Sequence, residues 1–299
     1  MRSTSIFALL ASSIALGGCF RLDSVLYNPD GGITEYKFNA YNDWDDRVPD
    51  AMAVADSMVH LFTLESQAPG EASPTTIYAN YLGDMSRIAT DTVILYCHGN
   101  AAHMDAYWQR QILLANTGWK HRYGVMALDY RGYGLSEGTP TEEGLYADVQ
   151  ACIDFLASMG MTGDRLVLYG FSMGSAPATE LTAQPRTLEP GWLILEAPFA
   201  SGEQMAQTST GLAMPGSFVT NLKIDNEEEI KSVTQPFLHF HGIEDDFIDF
   251  ETHGQAVWHN YQGARGTQIA VPGANHGDVP WVYGVEPYRT AVLDFLTHP

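Results

Sequence analysis

Lysine is scarce in this chain: four residues in 299. With arginine the basic total reaches only 15, against 36 Asp and Glu, a formal net charge of −21. A surface of that sign repels phosphate backbones, which argues against a nucleic-acid partner. Charged residues are only 17% of the chain, so the imbalance reflects missing bases and not acidic runs. Cysteine is scarce too. Three residues are too few for a disulfide framework or a multi-cysteine metal site. No run of about 18 apolar residues occurs, so no segment reads as a membrane-spanning helix. What is present is apolar material: 45% of residues, ample for a packed core and foreign to a disordered acidic chain. A length near 300 suits one large α/β domain or two small ones.

The N-terminus reads as an address. One positive charge, Arg2, precedes the eleven-residue apolar stretch Ile6 to Leu16, too short to span a bilayer. It ends in Leu16-Gly17-Gly18-Cys19, which resembles the lipobox of bacterial lipoproteins. The resemblance implies that 1–18 is a signal peptide, that Cys19 is lipidated, and that the acyl chains replace the signal as anchor. The alternative is an ordinary secretory signal. By the same resemblance, Phe20 after Cys19 favours the outer membrane, facing the periplasm. Losing Arg2 takes the charge from −21 to −22. Cys97 and Cys152 then remain, expected as two buried thiols in the core.

Residues 19–55 read as a tether that packs on the edge of the domain, with Tyr27, Tyr36, Phe38 and Trp44 as anchors. From 56 to 299 the pattern is regular. An alternating pattern marks Met58–Leu64 and Thr75–Leu82 as strands, and short apolar runs suited to strands buried on both faces are Thr92–Tyr96, Val125–Leu128, Leu166–Tyr169, Trp192–Leu195, Phe237–Phe240 and Gln268–Val271. Helical stretches between them are Met104–Asn116, Glu142–Ser158, Ser172–Ala183, Phe250–Tyr261 and Pro287–Leu296. Alternation of this kind predicts a parallel sheet covered by helices on both faces.

Gly170-Phe171-Ser172-Met173-Gly174 follows one of these strands and opens a helix, the setting of a G-x-S-x-G nucleophile elbow. Glycines are needed on either side because side chains there would clash in the tight turn. A serine hydroxyl is a weak nucleophile and needs a base. His276, in the loop after the last strand, is the candidate, since strand carboxyl ends share one edge of a parallel sheet. An orienting acid is expected between them in chain order. His241-Gly242-Ile243-Glu244-Asp245-Asp246 offers Asp245 and Asp246, with Asp249 nearby. Oxyanion donors are expected from the N–H of Met173 and from the loop His98-Gly99-Asn100-Ala101, with Asn100 preferred to Ala101. His98 reads as a structural brace of that loop.

The ordered set His98-Gly99-Asn100, Asp129-Tyr130-Arg131-Gly132-Tyr133-Gly134, Gly170 to Gly174, His241 to Asp245 and Asn275-His276-Gly277 resembles the α/β-hydrolase superfamily. It is most similar to small-lid serine hydrolases with depalmitoylase-like and lysophospholipase-like members. The resemblance covers about 56–299. It implies an α/β-hydrolase fold with a mostly parallel eight-stranded sheet, nucleophile Ser172, acid Asp245 and base His276. It also implies that Asp129 and Arg131 form an ion-paired loop brace and that Ser136 is a turn residue. Glu196, at a strand end, is the reserve acid.

The lid region, 200–234, is short. Its Met205, Leu212, Met214, Pro215, Phe218 and Val219 are expected to pack on the body or to line an acyl pocket. The expected activity is hydrolysis of carboxylic esters or thioesters by a monomer without cofactor. Its alternatives are a peptidase or amidase of the same fold and a non-catalytic envelope scaffold. No metal site is expected: His239 and His241 share a strand face, but nothing completes a coordination shell. An anchored domain of this charge should be held off anionic lipid.

Overall fold

The computed structural model describes residues 27–30, 32–41, 48–118, 123–210 and 220–298. The signal peptide, Cys19, Trp44, and the lid residues Leu212, Met214, Pro215, Phe218 and Val219 lie outside the described residues.

Eight strands form the main sheet: β1 Val59–Ser66, β2 Thr75–Leu82, β3 Thr92–Cys97, β4 Tyr123–Asp129, β5 Leu166–Phe171, β6 Trp192–Glu196, β7 Phe237–Gly242 and β8 Gly266–Val271. Each coincides with a strand read from the sequence. Their spatial order is β8-β7-β6-β5-β3-β4-β2-β1. β2 alone runs opposite to the other seven, so its pairings with β1 and β4 are the antiparallel ones. The central parallel strands β3 to β7 are buried on both faces because helices cover both, while β8 at the edge is partly exposed. Along β3, Val93, Leu95 and Cys97 face one core with Leu145, Val149 and Cys152. Ile94 and Tyr96 face the other, with Trp108, Ile112 and Val292. The alternation is the period of two that a strand imposes. Truncating a side chain such as Leu95 to alanine costs about 2–5 kcal/mol. Cys97 and Cys152 are both buried free thiols, as expected.

The helices are α1 Trp108–Ala115, α2 Glu142–Ser158, α3 Ser175–Ala183, α4 Gly202–Thr210, α5 Asn226–Glu229, α6 Gln255–Asn260, α7 Val279–Tyr283 and α8 Val285–Thr297. α2 has the bounds read from sequence, since the Thr141 hydroxyl caps it by accepting from Gly144 N–H at 3.0 Å. α4, α5 and α7 are too short or too polar to have shown a period in the sequence.

Strand order reverses between β3 and β5, so a crevice opens at their carboxyl ends. The segment before β1 runs to this crevice and not to a lateral edge of the sheet. Asn28–Pro29 pairs in parallel with Ala101–Ala102, just after β3. The Tyr36 hydroxyl donates to Asp129 at 2.6 Å, and the N–H groups of Lys37 and Phe38 donate to Asp105 at 2.6 and 2.8 Å. Two carboxylates near the carboxyl ends of the central strands thus draw the segment inward. Tyr36 and Phe38 act as anchors, the latter against Trp108.

Candidate active site

Ser172 sits at the end of β5 with φ of +52°, a left-handed conformation for a residue with a side chain. The turn is closed from both sides. A Cβ on Gly170 would lie 2.5 Å from the Gly174 carbonyl oxygen, and one on Gly174 would lie 2.0 Å from that of Cys97. This is the physical reason for the two glycines, and it forces the Ser172 hydroxyl outward.

His276 follows β8, in the loop that begins at Pro272. Its Nε2 lies 2.9 Å from Ser172 Oγ, and its Nδ1 lies 2.9 Å from Asp245 Oδ2. Asp245 follows β7, and its other oxygen accepts from the N–H groups of Phe247 and Ile248 at 3.0 and 2.7 Å. Burial alone would raise the Asp245 pKa. Contacts from His241 and His276 and the backbone donor Ile248 overcome it and hold the group well below the usual carboxylate range. The carboxylate therefore stays charged where the imidazole needs a counter-charge.

The alternative acids have other partners. Asp246 is exposed, its N–H bonded to Asn275. Asp249 caps the turn at Thr252. Glu196 accepts from Arg110 at 2.6 and 2.8 Å and from the Tyr288 and Tyr169 hydroxyls. Arg110 in turn donates to the Gly277 carbonyl at 2.6 Å, beside His276, and lies 4.4 Å over the Phe171 ring. The Glu196–Arg110 pair thus braces the histidine loop.

Behind Asp245, His239 and His241 share a strand face. Gln268 Nε2 donates to His239 Nδ1 at 3.1 Å, His239 Nε2 lies 3.3 Å from His241 Nδ1, and His241 Nε2 donates to the Ile248 carbonyl at 2.8 Å. Burial drives the His239 pKa far down. Among the described residues no His, Cys, Asp and Glu cluster could hold a metal ion.

His98 braces the loop after β3. Its Nδ1 donates to the Gly99 carbonyl at 2.7 Å and its Nε2 lies 3.2 Å from Asp129. The Asp129–Arg131 pairing expected from the sequence does not form. The chain turns after β4, where Tyr133 N–H bonds to the Tyr130 carbonyl. Asp129 therefore meets Tyr36, Met104 N–H and His98. Arg131 turns to Asp148 of α2, at 2.9 Å, and to Glu71. Ser136 is the expected turn residue: its hydroxyl donates to the Asp129 carbonyl and accepts from Tyr78 N–H.

Ser172 and His276 open into a cavity of about 380 Å³. Its walls include Asn28, Gly99 to Ala101, Tyr107, Arg110, Phe171, Phe247 and Trp281. Asn100 lies in this wall, and Met173 is buried behind the elbow. No Asp or Glu lines it among the described residues. The described lid does not line it either. Met205 packs on a cluster of Phe199, Ile224 and Ile248. Sequence reasoning missed Asn28, Tyr107, Arg110, Phe247 and Trp281, none of which belongs to a motif. An arginine inside the apolar stretch Trp108–Ala115 was the one available signal.

Comparison with known proteins agrees with this architecture. The sequence model of the family described as serine aminopeptidase, S33, matches residues 89–235. Alpha/beta hydrolase domain-containing protein 17B of Homo sapiens is 33% identical over 192 residues, covering 64% of this chain and 62% of that one. Alpha/beta hydrolase domain-containing protein aho-3 of Caenorhabditis elegans is 32% identical over 189 residues, covering 62% and 52%. The chain thus spans less than two thirds of the length of these relatives. Among solved structures, the Pyrococcus furiosus esterase Pf2001 superposes with a TM-score of 0.64 at 18% identity, over 90% of this chain and 98% of its own. Est1E from Butyrivibrio proteoclasticus, described as bound to ferulic acid, gives 0.59 at 20% identity, over 79% and 97%. The chain has the α/β-hydrolase fold and is similar in sequence to members of that superfamily.

Proposed function

We propose that this chain hydrolyses carboxylic esters or thioesters through an acyl-enzyme, with Ser172 as nucleophile, His276 as base and Asp245 as acid. The observation that carries the reading is the pair of 2.9 Å contacts running from Ser172 through His276 to Asp245. Ser172 Oγ attacks the carbonyl carbon as His276 Nε2 takes its proton. Asp245 fixes the tautomer and stabilises the imidazolium. The oxyanion takes hydrogen bonds from the N–H groups of Met173 and Asn100. The proton passes from His276 to the departing alcohol or thiol, and water, deprotonated by the same histidine, releases the acid. The strained backbone at Ser172 supports catalysis over a scaffold role, since strain of this kind concentrates at functional sites.

The family description raises an aminopeptidase reading. Recognising a free α-ammonium calls for a carboxylate in the pocket, and the described lining has none; its fixed charge is Arg110. The mostly apolar wall of Ala101, Tyr107, Phe171, Phe247 and Trp281 favours an acyl chain.

The chain is further proposed to be a lipid-anchored envelope protein, acylated at Cys19 and held at the outer membrane facing the periplasm, with residues 1–18 removed. The small-residue pattern before Cys19 supports this. The enzymatic reading is tested by fluorophosphonate labelling of wild type and Ser172→Ala, with a p-nitrophenyl ester chain-length series beside aminoacyl amides. Labelling at Ser172 and ester turnover are expected; a folded protein that does neither refutes it.

A further inference from the structure

Among the described residues five large apolar side chains are exposed: Leu61, Met159, Ile243, Phe247 and Val282. Leu61 lies on the outermost strand of the sheet and Met159 after α2. The other three, exposed by 43, 47 and 44%, stand in the segments that follow β7 and β8, at the carboxyl edge of the sheet that carries the site. Phe247 lines the cavity and sets its ring 5.1 Å from that of His276. Ile243 follows β7 and bonds through its N–H to Val271, at the end of β8. Val282 lies over Gly273 in the same turn and follows Trp281, which lines the cavity. The acids interspersed here are Glu244 and Asp246, both exposed. Clustered exposed apolar residues mark an interaction surface.

The position of the N-terminal segment identifies the occupant. Asn28 lines the same cavity, and Cys19 stands nine residues before it. A chain of nine residues reaches at most about 30 Å. An anchor at Cys19 therefore keeps the cavity mouth within that distance of the bilayer. We propose that Ile243, Phe247 and Val282 form a docking rim that seats the cavity mouth on a zwitterionic lipid surface, so that the site takes acyl groups from membrane-resident esters or thioesters. Glu244, Asp246 and the net charge of −22 left once Arg2 is removed set the lipid preference, since an anionic surface repels them. The inference rests on the proposed acylation of Cys19 and deepens the proposed activity.

The test places a tryptophan on the rim in the mature lipidated protein, Ile243→Trp, reconstituted in phosphatidylcholine vesicles with bromine-labelled acyl chains. Met159→Trp, exposed outside the rim, is the control. Quenching of the added tryptophan at 243 is expected to exceed that at 159 at least threefold and to fall when a third of the lipid is anionic. Equal quenching at the two positions overturns the rim. A protein that does not float with vesicles overturns the anchor and the rim with it. Fluorescence needs no turnover, so hydrolysis of a soluble p-nitrophenyl ester by the same preparation judges the enzymatic reading separately.

Discussion

The Tyr133 hydroxyl donates to both oxygens of Asn100, to the side chain at 2.7 Å and to the main chain at 3.2 Å. It also lies 3.8 Å from the Met173 sulfur. One buried hydroxyl therefore touches both residues proposed to supply oxyanion donors. From the other side, Asn28 N–H donates to the same Asn100 side-chain oxygen at 3.0 Å. The loop carrying Asn100 is thus held by a tyrosine of the turn after β4 and by the N-terminal segment.

Tyr133→Phe keeps the ring and removes only the hydroxyl. If Asn100 N–H acts on the transition state, looser positioning lowers kcat and leaves KM nearly unchanged. A drop of about tenfold is expected, less than the 10²–10³ for deleting a donor outright. Steady-state kinetics on a short ester decides it; a change confined to KM would assign Tyr133 to substrate binding instead.

Ser172→Ala and His276→Ala should each remove at least about 10³-fold of kcat, and the double variant should lose little more, because the residues act as one unit. Asp245→Asn should cost about 10⁴-fold by favouring the wrong imidazole tautomer. Asp246→Asn, at an exposed neighbour bonded elsewhere, should change kcat less than twofold. Equal losses at 245 and 246 would undo the assignment of the acid.

Glu196→Gln tests the reserve acid by another route. The carboxylate is fully buried against Arg110, so its neutralisation leaves an unpaired buried guanidinium, at a cost of about 3–5 kcal/mol. Urea denaturation should show that loss. Activity per folded molecule should fall only modestly, through the weakened hold of Arg110 on Gly277.

These assignments show which parts of the molecule the sequence made legible. Six of the strands were readable as short apolar runs between polar breaks, and β1 and β2 as an alternating pattern. Ser172 was readable because its turn admits only glycine at two flanking positions, and His276 because loops after strands converge on one edge; the same convergence offered Asp245, Asp246 and Asp249 alike, and only the family resemblance singled out Asp245. The cavity walls were not readable. Asn28, Phe247 and Trp281 meet there from three distant segments, and neither type nor spacing marks them. The Asp129–Arg131 pair failed for a related reason. Proximity along the chain suggested contact, while the turn after β4 sends the two side chains to different elements.

The last prediction concerns pH. Glu229 on α5 is half-buried, and burial first, then the nearby charges of Glu180, Asp225 and Glu142, raise its pKa to about 8. A carboxyl whose folded pKa exceeds its unfolded value binds its proton more tightly in the native state. Its contribution to stability is therefore complete below the unfolded value, 4.5, and is lost as pH rises to about 8. Native protein should lose stability across that window, and Glu229→Gln, which keeps the protonated shape, should flatten the loss. Thermal midpoints at pH 5 and pH 8.5 measure it. The variant should equal wild type at pH 5 and exceed it at pH 8.5, by several degrees. Glu229 and Glu180 stand on α5 and α3, and α3 begins just after the Ser172 turn. Repulsion between them at high pH would push α5 from the helix that supports the nucleophile, so a variant no more stable than wild type at pH 8.5 would show that this cluster is hydrated and relaxed.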